Sequence, residues 1–316
     1  MTDYGMKIPL CYVNRDSGNV EGLDWKDMKR MLGEADLLLN VGGVCWLPEF
    51  HLCRRRVLID MDPFFTQVGG FGYEERINDY HSYFSYGVNI GRQGCTIPTG
   101  GFDWLPTVPP VVTEIWQRPL PTREKQAESE AADVPFTTVA NWNAYGSVTY
   151  RGEHYGQKDE EFLRLIDLPN RTSQKLELAL SGASPEIWAR LQATGWSLRE
   201  GGKVSIDIPT YHAFISGSRG EFSAAKNAYV KTRSGWFSDR SVCYLAAGRP
   251  VILQDTGFSD WLPTGRGVLV FSSIEEAVDC IDSVNASYTV HCRAAKEIAQ
   301  KTFSYKVVLP RLVEIA

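Results

Sequence analysis

Between Lys231 and Phe258 the chain gathers side chains that bind anions and glycines that let backbone approach them. Lys231, Arg233 and Ser234 precede a Gly235-Trp236 turn, and Ser238, Asp239, Arg240 and Ser241 stand where a helix would begin. Ser238 or Asp239 can cap that helix, whose first-turn N–H groups are unpaired and carry the positive end of its dipole. A negatively charged group is stabilised at such a terminus. The helix closes on Gly248, Val251 to Gln254 reads as a buried strand, and Asp255-Thr256-Gly257-Phe258 follows as a loop. In an open α/β sheet, ligands collect beyond the carboxyl ends of strands. Gln254 and the Asp255 loop therefore make a second surface beside the helix start, and together the two suit a phosphorylated small molecule. Each group also has a plainer reading. The cations, Lys226 included, could pair with nearby acids; Trp236 and Phe237 could pack; Asp255 could serve only an Asx turn.

A second set of residues could move protons. Asp60 and Asp62 end a predicted strand in Asp60-Met61-Asp62-Pro63, where a carboxylate can take the proton of a hydroxyl. Asp62 before Pro63 is equally an ordinary strand-to-turn residue. His81 is the best placed of five histidines. No His, Cys, Asp or Glu spacing matches a metal site, and no glycine fingerprint follows a strand as a nicotinamide dinucleotide would require. The sequence thus predicts neither metal nor cofactor.

These residues need a frame. The spacing predicts a strand within Met6–Val13, a helix over Trp25–Gly33, and strands over Ala35–Asn40, Arg56–Asp60 and Tyr80–Val88. Residues 118–135 change to Pro, Glu, Lys, Gln and Ala with almost no large apolar side chain, which reads as a linker. A second series then begins at Phe136–Trp142. Strands follow at Lys175–Leu180, Glu221–Ala224 and Gly267–Phe271, and helices at Pro185–Thr194, Ile208–Ile215 and Ile274–Val284. A last helical region, Tyr288–Ile315, should break near Pro310. Alternating strands and helices imply α/β architecture with parallel sheets. The predicted units are 1–117, a linker at 118–135, and 136–316, the last helix packing back on the first unit. GFDWLPT at 101–107 echoes GFSDWLPT at 257–264, either as equivalent turns of related halves or by chance.

A length of 316 residues accommodates two ordinary domains, and a net charge of −5 with pI near 5.6 argues against a general nucleic-acid binder. Seven cysteines without a CxxC pair suggest reduced thiols, with Cys45, Cys95 and Cys243 expected to be buried. No apolar run reaches the length of a membrane span, so the expectation is a soluble, cytoplasmic protein.

The string SGWFSDRSVCYLAAGRPVILQDTGF, residues 234–258, resembles the donor-nucleotide motif of GT-B glycosyltransferases. There a helix ending in Ala-Gly-x-Pro, here Ala247-Gly248-Arg249-Pro250, leads into a strand and an Asp-x-Gly loop. It is most similar to a bacterial glycosyltransferase group carrying SGWFSxRS…YLAxGRPVxxQDTGF, with further likeness at DMDPFFTQ (60–67) and YGQKDEEFLR (155–164). The resemblance implies two Rossmann-like domains facing across a cleft. The second would hold a nucleotide-diphosphate sugar on the residues named above, and the first an unknown hydroxyl-bearing acceptor. It also implies metal-independent transfer. The family's paired glutamates have no clear counterpart, the second falling near Cys243 and the first replaced at best by Asp239. The first half is short for the fold, which leaves room for an oligomer or partner completing it. A sugar-nucleotide epimerase and a non-catalytic nucleotide-sugar-binding subunit remain the alternatives.

Overall fold

A short hairpin comes first in the computed structural model, which describes residues 8–14, 17–69, 77–117 and 133–316. Its strands, β1 (Cys11–Val13) and β2 (Val20–Gly22), pair antiparallel with each other and stand apart from the main sheets, so the strand expected within Met6–Val13 does not open a Rossmann unit. Met6 and Lys7 lie outside the described residues. Helix α1 (Trp25–Glu34) begins where Asp24 caps it through the N–H of Asp27.

Four parallel strands follow in sequential order: β3 (Leu38–Val41), β4 (Arg56–Asp60), β5 (Ser82–Ser85) and β6 (Trp104–Pro106). After helix α2 (Thr113–Trp116), most of the predicted linker, 118–132, lies outside the described residues. The second series opens with β7 (Phe136–Asn141), a small antiparallel hairpin of β8 (Val148–Tyr150) and β9 (Glu153–Tyr155), and helix α3 (Lys158–Arg164). It continues through β10 (Leu176–Ser181), α4 (Pro185–Ala193), β11 (Ser197–Glu200), α5 (Gly201–Val204), α6 (Ile208–Ser216) and β12 (Gly220–Ser223). The remainder is α7 (Asn227–Lys231), α8 (Asp239–Ala246), β13 (Val251–Gln254), β14 (Val268–Phe271), α9 (Ile274–Ala286), α10 (Tyr288–Ile298) and α11 (Tyr305–Ile315).

The second sheet has six parallel strands in the order β11-β10-β7-β12-β13-β14. Chain order reverses between β7 and β12, which makes their carboxyl ends the topological switch point where a crevice opens. The register shows the opening. β7 pairs with β10 from Phe136 to Asn141, but with β12 only at Phe136 and Thr137, so the two strands part toward their carboxyl ends. Apolar side chains fill both faces, Leu178, Phe222 and Ile252 with Ile281 on one, and Val251 and Leu253 with Leu245 and Phe303 on the other.

The last helical region breaks at Ser304, not at Pro310. A π-turn over Ala299–Phe303 ends there because the segment before α2 docks on it: the Val111 N–H donates to Phe303 and Val111 accepts from Tyr305. Pro310 sits inside α11. Leu312 and Ala316 of that helix pack on Val57, Ile59, Phe84 and Tyr86 of the four-stranded sheet. The WLP echo has no structural equivalence, since Trp104–Pro106 is strand β6 whereas Trp261–Pro263 lies in a turn outside any strand. Against expectation, Cys45 is exposed and Cys95 and Cys243 are only half-buried, while Cys53 is the buried thiol; all seven cysteines are free. Among the described residues no helix is long and apolar enough to cross a membrane.

Candidate functional site

The carboxyl ends of the two sheets face each other and are stapled together. The backbone of Gly87 bridges Trp236, the Asn89 N–H donates to Ser234, and the Asn89 amide donates to Gly257 at 2.9 Å. The Gly235 and Gly257 backbones both have positive φ, and a Cβ on either would meet Asn89 within 2.9 Å, so glycine is needed at both for this close approach. These glycines thus serve the contact between sheets. Buried Ser234 accepts from the Trp236 N–H, and Trp236 packs on Tyr229 and donates its indole N–H to Met61. Phe237 is buried against Phe258 and Phe303.

Four cations of the predicted anion cluster each have an acidic partner. Lys231 pairs with Glu153 at 2.6 Å and Arg233 with Asp260 at 2.9 Å, both near the surface. Lys226 pairs with Asp62 at 2.8 Å within a cage of Phe65, Tyr145 and Tyr229 rings. Arg240 turns inward from the first turn of α8, its Nε contacting Glu221 at 2.5 Å. Its other nitrogens donate to the Val139 carbonyl at 2.9 Å and the Ser223 hydroxyl at 2.8 Å. The guanidinium therefore fills the crevice where β7 and β12 part, replacing ladder hydrogen bonds that the splayed strands no longer make. Ser238 caps α8 through the Arg240 N–H, which Asp239 also accepts. Ser241 is buried with its hydroxyl unpartnered among the described residues.

The Asp255 loop is likewise self-satisfied. Asp255 accepts from the Gly257 N–H at 2.8 Å and from Ser259 at 3.0 Å, and the Thr256 hydroxyl donates to the Trp236 carbonyl. The Gln254 amide bridges the Ala225 N–H and buried Glu161.

The cation the sequence reading overlooked is Lys158, at the first position of α3 near the switch point. It makes no hydrogen bond or ion pair among the described residues. The side chain is half-buried, and its loss of solvation, reinforced by the nearby Arg240 and Lys226 charges and opposed by Glu221 and Asp239, holds its ammonium well below the ordinary lysine range. Lys158 belongs to YGQKDEEFLR, quoted above for its likeness, but lysine opening a polar helix reads as a solvated end. Its unpaired charge emerges only in three dimensions.

Across the interface the acid–base candidates separate. Asp60 is fully buried at the end of β4 and accepts from Thr66, Gln67, Ser85 and the Asp62 N–H. Burial pushes its carboxyl up, and those four hydrogen bonds oppose the shift. Asp62 accepts from Lys226 and from the hydroxyls of Tyr145 and Tyr229. His81 is not brought to this edge. It lies at the amino end of β5, where its Nδ1 accepts from the Arg56 N–H at 3.1 Å. Among the described residues no group of three metal-ligating side chains assembles.

Neither a protein-family model nor a curated protein matches the sequence. Solved structures do match by fold. Anabaena HepE in complex with UDP-glucose superposes with a TM-score of 0.60 at 12% identity, over 92% of this chain and 80% of that one. Sucrose-phosphate synthase from Thermosynechococcus elongatus gives 0.57 at 12%, over 93% and 79%. A glycosyltransferase from Rickettsia africae gives 0.54 at 11%, over 92% and 79%. These are GT-B glycosyltransferases. The chain has the GT-B fold. In that fold the six-stranded sheet is the second Rossmann-like domain, and the four-stranded sheet is a reduced first one, facing it across the stapled cleft.

Proposed function

We propose that the protein is a glycosyltransferase that takes a sugar from a nucleotide-diphosphate donor, with units at 1–117 and 136–316. The observation that carries this reading is Lys158, an unpaired ammonium held beside two further cations at the switch point of the second sheet. An unpaired charge in a half-buried, poorly solvated crevice is costly unless a ligand completes it. A diphosphate leaving group would do so and would be stabilised as the glycosidic bond breaks. Asp239 and Arg240 at the start of α8 lie close enough to act on its charge, and buried Ser241 follows them with its hydroxyl unpartnered among the described residues. The likeness of residues 234–258 to the SGWFSxRS…QDTGF group supports the same reading. HepE in complex with UDP-glucose makes UDP-glucose the first donor to test.

We further infer retention of configuration and no requirement for a metal. Inversion needs a free base toward the acceptor hydroxyl. Asp60 is buried and saturated, Asp62 is held by a cation and two phenols, and His81 sits at the far edge. Asp62 instead tethers Lys226 across the cleft. The charge of the departing diphosphate falls to Lys158 and its neighbours, so chelators should leave turnover unchanged.

Isothermal calorimetry with UDP and UDP-glucose tests donor binding, and Lys158→Met should weaken both. NMR of the anomeric proton after turnover reads configuration. The sugar acceptor remains to be found by screening hydroxyl compounds against UDP-glucose. Binding without transfer or hydrolysis in that screen would move the protein to the non-catalytic reading, which the occupied state of Asp62 also fits. Conversion of the donor sugar with no acceptor would move it to the epimerase reading. Failure to bind any nucleoside diphosphate would overturn the proposal altogether.

A further inference from the structure

A second cavity, of about 320 Å³, lies beyond the Asn89 staple between the four-stranded sheet and helix α11. It has no part in the donor reading. Its floor is apolar and buried, formed by Phe84 and Val88 after strand β5 and by Val308 and Leu312 of α11. Its rim is different. One turn of spacing along α11 sets Val307, Arg311 and Ile315 in a row at the exposed edge, and Arg92 and Lys301 reach the cavity from the β5 loop and the π-turn.

Charge singles this cavity out. The chain carries a net charge of −5, yet the lining holds three cations and no acidic side chain. Lys301 has one salt-bridge partner among the described residues, Glu297 at 3.5 Å on the exposed face of α10 one turn before it. Arg92 and Arg311 have no side-chain partner among the described residues, whereas Arg233 and Arg240 in the stapled cleft are both paired. Guanidinium groups present a planar fork that suits phosphate and carboxylate oxygens. The apolar floor offers a hydrophobic chain the surface that a bare anion would leave exposed to water. Trp261 forms a further wall, its indole N–H already donated to the Gly235 carbonyl, so it presents ring surface rather than a donor.

We propose that this cavity binds an amphiphilic anion, a phosphate or carboxylate head carrying an alkyl or aryl chain. Arg92 and Arg311 hold the head, and the Phe84–Leu312 floor takes the chain. Such a molecule comes either free in solution or as a lipid in a bilayer, and the same chemistry serves both.

Calorimetry with monomeric octyl phosphate tests the site without reference to any donor nucleotide. Octyl phosphate should bind, with inorganic phosphate and octyl glucoside each at least about tenfold weaker, because each supplies only one half of the ligand. Arg92→Ala and Arg311→Ala should each weaken octyl phosphate about tenfold or more, the loss expected for a charge-assisted hydrogen bond. Val308→Trp, which fills the floor, should exclude the chain. All three variants should keep the wild-type affinity for UDP, which shows that they fold and separates this site from the donor site. Flotation with phosphatidylcholine vesicles, with and without phosphatidic acid, names the source. Vesicle binding that Arg311→Ala abolishes identifies a lipid, and octyl phosphate binding without it identifies a soluble compound. No binding of octyl phosphate, or equal binding of octyl phosphate and inorganic phosphate, overturns the proposal, whatever the vesicles do.

Discussion

The carboxyl edges of the two sheets meet in one interface, and one cation there stands apart from the paired charges on both sides. On the four-stranded side the carboxylates are fully partnered: Asp60 accepts four hydrogen bonds, and Asp62 is held by Lys226 and two tyrosines. On the six-stranded side, Lys158 has loss of solvation and neighbouring cations against it and, among the described residues, no carboxylate bonded to it. A group whose hydrogen-bonding capacity is filled by the fold stabilises the fold. One left charged and unpaired destabilises it until something else arrives. The comparison therefore supports the proposal that the first edge is structural and that ligand binds at the second, although both are built from polar residues at strand ends.

The largest effect should come from Arg240, whose type and position suit a phosphate but whose partners are internal. Arg240→Ala leaves Glu221, which is 0% exposed, without its cation, and one of its carboxylate oxygens is already unpartnered among the described residues. Breaking a buried pair from one side costs about 3–5 kcal/mol. Denaturant unfolding should show that loss, and a Glu221→Gln, Arg240→Ala double variant should recover part of it. A stable Arg240→Ala protein that has lost only UDP affinity would break the comparison, since it would make Arg240 a ligand group.

Lys158 sharpens it from the other side. Lys158→Met should lower UDP affinity by roughly 1.5–3 kcal/mol, the worth of a charged hydrogen bond, while stability holds or rises. The pH dependence has a definite sign. Because the folded lysine pKa lies below its unfolded value, the unfolded chain binds more protons between the two. Stability should therefore rise with pH across that window, and Lys158→Met should flatten the slope. An arriving diphosphate favours the protonated form. At a pH within that window, calorimetry in buffers of different ionisation enthalpy should then detect proton uptake on UDP binding, which Lys158→Met removes.

What could be read in the sequence was what its local punctuation controls. Helix α1 falls within a residue of the spacing over Trp25–Gly33, and Val251–Gln254 is the predicted strand, set off by Gly248 and Pro250 before it and Gly257 after it. The pairing of charges was beyond that reach. Lys226 meets a carboxylate 164 residues away and Lys231 meets one 78 away. No window of sequence distinguishes a paired lysine from a free one. The same limit hid Lys158, and it explains the misplaced helix break, because Ser304 ends a helix only through the chain that docks at Val111.

A smaller effect is expected at Asp62. The pair with Lys226 is partly buried, with 27% and 13% of the side chains exposed, so Asp62→Asn should cost about 1–3 kcal/mol of stability, less than a fully buried pair. If Asp62 is a tether, turnover at saturating donor and acceptor should stay within about tenfold of wild type. A positioned base would instead cost 10²–10⁴-fold in kcat with donor affinity spared. That result, joined to an inverted product, would return the first edge to catalysis.

The smallest effect should be at Arg233, and its direction is informative. Its pair with Asp260 is about half exposed on both sides, and such surface pairs contribute ~0–1 kcal/mol. Arg233 also stands at φ 49°, in the left-handed region where a side chain is strained by roughly 1–2 kcal/mol. Arg233→Gly removes the pair and the strain together, so the net change should be a stabilisation of roughly 0–1 kcal/mol. Arg233→Ala keeps the strain, loses the pair, and should be slightly less stable than wild type. Neither should alter UDP affinity, because the guanidinium is occupied by Asp260 and the proposed ligand contact falls to Lys158. Thermal unfolding of both variants orders them, and calorimetry checks the binding. A tenfold loss of UDP affinity in Arg233→Gly, with the protein more stable than before, would show that an exposed ion pair opens for the ligand. Pairing within the fold would then no longer separate the structural edge from the binding one.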